Sequence, residues 1–264
     1  MIIDFHAHMF PDKLAPAAIR ALTESIDNLY PPVSDGTKAG LLGNMDKWGI
    51  DVSVVLPVVT KQSQLRKANE FMAASNSDRL VCFGGIYPRT DDYKRDIDYV
   101  AGLGLKGLKF HAEYQDFILD DEHMLKIYDY ALGKGLIILH HVGYDPAFPP
   151  PFNSSPRQFA RVADKCRGGV IIAAHLGGHA QWDEVEEFLV GTDVYLDTAM
   201  GFEYFKHDQF LRIARAHGAD KILFGSDAPW SDARTEIGHL KSLPLKEEEK
   251  DAILGGNGKR ILGL

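Results

Sequence analysis

The stretch LKGLKFHAEYQDFILDDEHMLKIYDYALGKGLIILHHVG, residues 105–143, decides the fold. It opens on the strand-sized run LKGLKFH and closes on a second, LIILHHV. Between them, Asp120 to Lys134 carries Met124, Leu125, Tyr128, Ala131 and Leu132 at helical spacing, with Asp120 placed to cap and Gly135 to stop. Two strands joined through a helix pair in parallel by a right-handed crossover.

Working outward, the same alternation fills the chain. MIIDFH, DVSVVLP and VCFGGIY precede the stretch, and GVIIAAH, DVYLDTA and KILFGSD follow it, making eight strand candidates in all. Gln181 to Leu189 repeats the helical logic, with Trp182, Val185 and Leu189 as its stripe, Glu184, Glu186 and Glu187 toward water, and Gly191 at its end. Mostly apolar strands imply a sheet covered on both faces. Eight such units in 264 residues predict an α/β fold, a (β/α)8 TIM barrel, as one domain over residues 1–264. A doubly wound sheet is disfavoured because HAHMFPDK stands where a glycine-rich phosphate loop would follow the first strand. Two connections are long, Met9 to about Lys38 and Gly143 to Pro156, and long loops at this end of a barrel cover a site.

Composition removes several classes of function. With 45% hydrophobic and 25% charged residues the chain is neither disordered nor fibrous. Its longest apolar runs fall far short of the roughly 20 residues that span a membrane. A net charge of -8 without a basic run argues against nucleic acid. Cys82 and Cys166 lack CxxC spacing, which excludes a disulfide framework or cysteine-rich zinc site. MIIDFHAHMF has neither a charged leader region nor a cleavage site, so a cytoplasmic location is expected.

The chemistry gathers at strand ends. His6 and His8, two apart on the first strand, point to the same side and can face one point at the barrel mouth. Imidazoles so placed can bind zinc at about 2.0–2.1 Å, although an isolated HxH reads equally well as two hydrogen-bonded histidines. The other histidines move that balance. His111 ends the fourth strand, His140 and His141 the fifth, His175 the sixth, and Asp227 the eighth. Packing explains one or two such positions, but not a ring of them closed by a carboxylate.

DFHAH, LKGLKFHAEYQDF, ILHHVG, AAHLGG, ILFGSDAPW and ILGGNGKRILGL, in this order, resemble the amidohydrolase superfamily. The closer likeness is to its branch of short metal-dependent TIM-barrel hydrolases, to which aminocarboxymuconate semialdehyde decarboxylase is related. The resemblance runs the whole chain. It implies that His6, His8, a fifth-strand histidine and Asp227 hold a divalent metal, with His175 as the sixth-strand histidine. His141 is the expected ligand, two before Gly143 as in the family's HxG pattern. His140 then faces the helices as a hydrogen-bonded packing residue.

Zinc is the expected ion, with manganese, iron or cobalt also suited to these ligands. Such a site leaves room for a water of lowered pKa, with Asp227 as proton acceptor and His175 polarising a carbonyl or stabilising an oxyanion. Lys109, two residues deeper than His111, is expected to neutralise interior carboxylates such as Asp4 rather than bridge two metals. His111 is expected to contact substrate or to bond a neighbouring loop. Tyr114 and Trp230, with Phe10, Tyr144 and Phe148, are expected aromatic walls and Arg89 a partner for a substrate carboxylate, while His179, four beyond His175, has two readings, reaching the site or, the favoured one, beginning the next helix.

Three functions are compatible with these residues. The first is hydrolysis of a small organic acid derivative by metal-activated water, and the alternative is nonoxidative decarboxylation at the same metal. A noncatalytic binding protein would require a broken site, and every expected position is filled. A small molecule is the expected partner, with no nucleic acid or membrane, and relatives of this kind are often homodimers.

Overall fold

A computed structural model describes residues 1–264. Its strands are β1 (Ile3–Ala7), β2 (Val52–Val55), β3 (Leu80–Cys82), β4 (Gly107–Phe110), β5 (Ile137–His140), β6 (Ile171–Ala173), β7 (Tyr195–Asp197) and β8 (Ile222–Leu223). All eight expected strands are present and every pairing is parallel. The ladder has two parts, β1-β2-β3 and β4 through β8, joined at both seams. At one seam Gly84 pairs with Leu108, and the Gly84 amide donates to the Gly107 carbonyl at 2.7 Å. Glycine is needed there, since a Cβ on Gly107 would stand 2.4 Å from the Ile137 carbonyl oxygen. At the other seam Ala7 pairs with Ala228, while the Phe5 amide reaches the Phe224 carbonyl at 2.7 Å. The barrel therefore closes.

The helices before β5 are α1 (Ala15–Ser25), α2 (Lys38–Trp48), α3 (Leu65–Ser75), α4 (Tyr93–Gly102), α5 (Ala112–Gln115) and α6 (Glu122–Gly133). Those after it are α7 (Pro156–Lys165), α8 (Trp182–Phe188), α9 (His207–His217), α10 (Ala233–Ser242), α11 (Glu247–Asp251) and α12 (Asn257–Leu262). Strand alternation divides the apolar residues into two layers. Val52, Val54, Val81, Phe83, Ile137, Leu139, Ile172 and Leu223 belong to a compact inner cluster. Their neighbours Val55, Leu80, Cys82, Leu108, Phe110, Ile138, Ile171 and Ile222 join the helices in a larger outer one.

Two local expectations shift. Helix α6 begins at Glu122 with Asp121 at its N-cap, so Asp120 does not cap it. The Asp120 carboxylate instead accepts from Gln158 at 3.2 Å and pairs with Arg161 at 2.7 Å, which ties the loop to α7. Of the three glutamates on α8 only Glu187 is exposed, and Glu186 pairs with Arg212 at 2.8 Å. The long Met9–Lys38 connection contains α1 and returns to the mouth, where the Val33 amide donates to the Pro229 carbonyl at 2.7 Å. No helix is long and apolar enough to cross a membrane.

Candidate metal centre

His6, His8 and Asp227 bring one ligand atom each to within 4.8 Å of one another. Their hydrogen bonds fix the tautomers. His6 Nδ1 donates to Asp197 Oδ2 at 2.9 Å, and His8 Nδ1 donates to the Leu56 carbonyl at 2.7 Å. Each ring thereby keeps a lone pair on Nε2, and these lone pairs face Asp227 Oδ1 at 3.3 and 3.0 Å. Three electron-rich atoms converging in a buried site repel unless a cation or a proton stands between them. A proton on His6 is disfavoured, because burial, then the Lys109 charge, lower its pKa to about 4. Two imidazole nitrogens and a carboxylate oxygen converging in this way are donor types that suit a divalent ion such as zinc or manganese.

The carboxylates here have opposite fates. Burial raises the Asp227 pKa, but the His6, His8 and His175 rings outweigh it and hold the carboxyl well below its ordinary range. Asp4 accepts from the Ser226 hydroxyl at 2.6 Å and its amide at 2.9 Å, yet burial pushes its carboxyl up to about 7. Lys109 does not serve Asp4. Its Nζ lies 3.2 Å from His6 Nε2, and the burial that lowers its pKa to about 8 is opposed by the charges of Asp197 and Asp227. Strain also collects at this end: His175, Leu176, Met200 and Asp227 all have left-handed backbones, with φ of 59°, 54°, 46° and 69°. Such conformations cost on the order of 1–3 kcal/mol each and gather where side chains must be aimed.

His141 and His175 continue the cluster. His175 Nδ1 donates to the Ala199 carbonyl at 3.0 Å, so its Nε2 accepts from His141 Nδ1 at 2.9 Å. That arrangement leaves His141 Nε2 buried with no partner, as a metal ligand would be. His141 does not join the close group of His6, His8 and Asp227; its ligand atom lies with those of His111 and Asp145. His175 stands between, its ring 5.2 Å from His6 and 4.7 Å from His141. His111 stacks on His141 at 4.1 Å and donates from Nε2 to Asp145 Oδ2 at 3.1 Å, so it bonds the loop after β5 while also lining the cavity.

A cavity of about 860 Å³ opens over these residues. Tyr114, Tyr144, Phe10 and Trp230 line it, and Phe148 packs behind Tyr114 with ring centroids 4.8 Å apart. Arg89 does not reach it. That arginine is more than half exposed and pairs with Asp116, whose left-handed backbone after α5 turns its carboxylate outward to meet it. His179 takes the less favoured of its two readings. Helix α8 starts at Trp182, and His179 instead lines the cavity with Nδ1 buried and unpartnered. The Gly143–His179 bridge puts it there, and a Cβ on Gly143 would stand 2.4 Å from the His179 amide.

Asp197 is the functional candidate the sequence reading missed. It ends β7, accepts from His6, and takes the His175 and Ala199 amides at 2.9 and 3.1 Å. Its signal was its place at the same strand ends as the histidines.

A closed barrel with histidines and a carboxylate converging at the C-terminal mouth of its strands defines a TIM-barrel protein with a candidate metal centre. Residues 3–264 match the family model described as Amidohydrolase (Amidohydro_2), and the chain belongs to that family. No curated protein matches it in sequence. Among solved structures, an uncharacterized TIM-barrel protein from Bordetella bronchiseptica is 18% identical, with a TM-score of 0.79 over 99% of this chain and 98% of its own. A 5-carboxyvanillate decarboxylase from Novosphingobium aromaticivorans, complexed with manganese and 4-hydroxy-3-methoxy-5-nitrobenzoic acid, is 14% identical, with a TM-score of 0.77 over 100% and 96%. The 5-carboxyvanillate decarboxylase from Sphingomonas paucimobilis is 17% identical, with a TM-score of 0.72 over 100% and 99%. At these identities the likeness establishes the barrel fold.

Proposed function

We propose that the chain is a metal-dependent nonoxidative decarboxylase of an aromatic or similarly electron-accepting carboxylic acid, with His6, His8, His141 and Asp227 holding one divalent ion. The observation that carries this reading is the pairing, in one cavity, of converging Nε2 and carboxylate atoms with walls that are otherwise largely apolar. Two similar structures are decarboxylases, one of them with manganese, which supports this reading over the hydrolysis ranked first from the sequence.

When bound, the ion supplies positive charge that anchors the substrate carboxylate or a neighbouring hydroxyl and stabilises negative charge developing there. Asp227, placed against His6 Nε2 and His8 Nε2, accepts a proton from the substrate hydroxyl and returns it to carbon. The carbon–carbon bond breaks with its electron pair left on the ring carbon, that carbon takes the proton, and carbon dioxide leaves. His175, tied to Ala199 and His141, holds the edge of the site rigid. Apolar walls exclude water from the carboxylate, which favours its departure as a neutral gas.

The test is carbon dioxide release from a panel of hydroxybenzoic acids by protein loaded with manganese or zinc, or stripped by chelator. Release that needs metal and Asp227 is expected. Turnover of esters or lactones in the same preparations, with no carbon dioxide from any acid, would reverse the order of the two reactions.

A further inference from the structure

Beyond the metal end, the cavity continues between two helices, each giving it one face. Leu14 at the N-cap of α1 and Ala18 and Leu22 within it recur every fourth residue, and Ala68, Phe71 and Met72 face the cavity from α3. Leu14 to Leu22 spans about 12 Å at the helical rise. The alanines on both helices keep the space between them open. Helix α1 itself is not packed into the core: within it only Ala15 and Thr23 are buried, and Leu14 just before it is 60% exposed. An amphipathic helix whose apolar face borders a cavity leaves that surface for a ligand to cover.

We infer that the cavity takes an acid whose polar end lies among His6, His8 and Asp227 and whose apolar body, longer than a single ring, lies along the slot between α1 and α3. The inference deepens the decarboxylase reading and rests on it for the polar end alone. Two observations fix the occupant as one molecule. The slot and the histidine cluster share one cavity, and at about 860 Å³ it sits near the top of the range of about 300–1,000 Å³ that holds drug-sized ligands. A single-ring acid at the metal end leaves the slot unfilled.

The probes are benzoate, 4-ethylbenzoate, 4-butylbenzoate and 4-hexylbenzoate, titrated calorimetrically into the manganese-loaded full chain. Kd is expected to fall about three- to fourfold per added methylene that the slot buries. Ala18→Trp and Ala68→Trp, on opposite helices, fill the slot and are expected to abolish the gain with length while leaving benzoate affinity and metal content unchanged. If either bulky variant does not fold, Leu22→Ala reads the same slot through a severalfold loss of affinity for the hexyl acid alone. A Kd that stays flat along the series while benzoate still binds overturns the slot, as does a gain that survives all three substitutions. A gain that appears only at protein concentrations where the chain dimerises assigns the slot to a second copy and also overturns the inference. If the length gain behaves as expected but benzoate affinity is the same with and without metal, the slot stands and the decarboxylase reading falls.

Discussion

His140 and His141 are adjacent on one strand edge and occupy opposite worlds. His141 turns to the barrel mouth, stacked on His111 and bonded through Nδ1 to His175. His140 turns to the helices, where its ring stacks on Phe110 at 5.0 Å and meets Tyr128, Phe117 and Phe159 edge-on. Contrary to expectation it has no hydrogen bond, since both ring nitrogens are buried without partners. Burial leads in driving both pKa values well below the ordinary histidine range. The two neutral imidazoles differ in what surrounds them: one belongs to a network of donors and acceptors, the other serves as a flat ring in an aromatic box. Alternation along a strand is enough to divide one dipeptide between chemistry and packing.

The largest effect that sharpens this contrast is on the mouth side. Asp227→Asn removes the proton acceptor and is expected to lower turnover about 10²- to 10⁴-fold in steady-state assays run at metal concentrations that saturate the variant. A variant with near-native turnover would place the proton transfer elsewhere.

Next comes the pair itself. His141→Ala is expected to lose metal, read by elemental analysis, while the fold persists. His140→Ala is expected to keep its metal but lose about 3 kcal/mol of stability in denaturant titration, because it opens a cavity in the aromatic box. The opposite outcome would mean that β5 is displaced by one residue and that every inward assignment on it flips.

A smaller effect is expected one shell out from the ligands. Asp197→Asn weakens the bond that orients His6 and is expected to cost about 10- to 100-fold in metal affinity, measured by competition with a chelator. No loss would show that His6 is positioned without it.

The smallest effect lies in the aromatic box. His140→Phe replaces two unpartnered nitrogens by carbon and is expected to add about 1 kcal/mol of stability near neutral pH. The sign of the pH dependence follows from the depressed pKa: the unfolded chain binds a proton at His140 below about pH 6.5 that the folded chain refuses. Stability attributed to this residue is therefore present above that pH and lost as acid is added, and His140→Phe is expected to flatten that decline in urea melts between pH 5 and 7.

The fold was legible because its signal is local. Each strand is a short apolar run and each crossover helix has its own stripe, so eight units could be counted without knowing any contact. That His6, His8, His141, His175 and Asp227 gather at one mouth was legible for the same reason, since a strand end can be read from the sequence and the barrel brings strand ends together. What escaped depends on distant partners. Asp197 ends a three-residue strand and carries no motif until His6 reaches it. His179 reads from the sequence more readily as a helix start than as a site residue, whereas the left-handed backbones of His175, Leu176 and Ala180 hold the chain in a turn across Gly143. Arg89 is claimed by Asp116 and Lys109 by the site's own charges, and neither pairing is written in the spacing.

The most direct test of the account is turnover of a responsive acid in deuterated, ¹⁸O-labelled water with metal-loaded protein. Decarboxylation predicts carbon dioxide release and one deuterium on the carbon that carried the carboxylate. A product with ¹⁸O in a newly formed acid group, no deuterium on carbon and no carbon dioxide would contradict it.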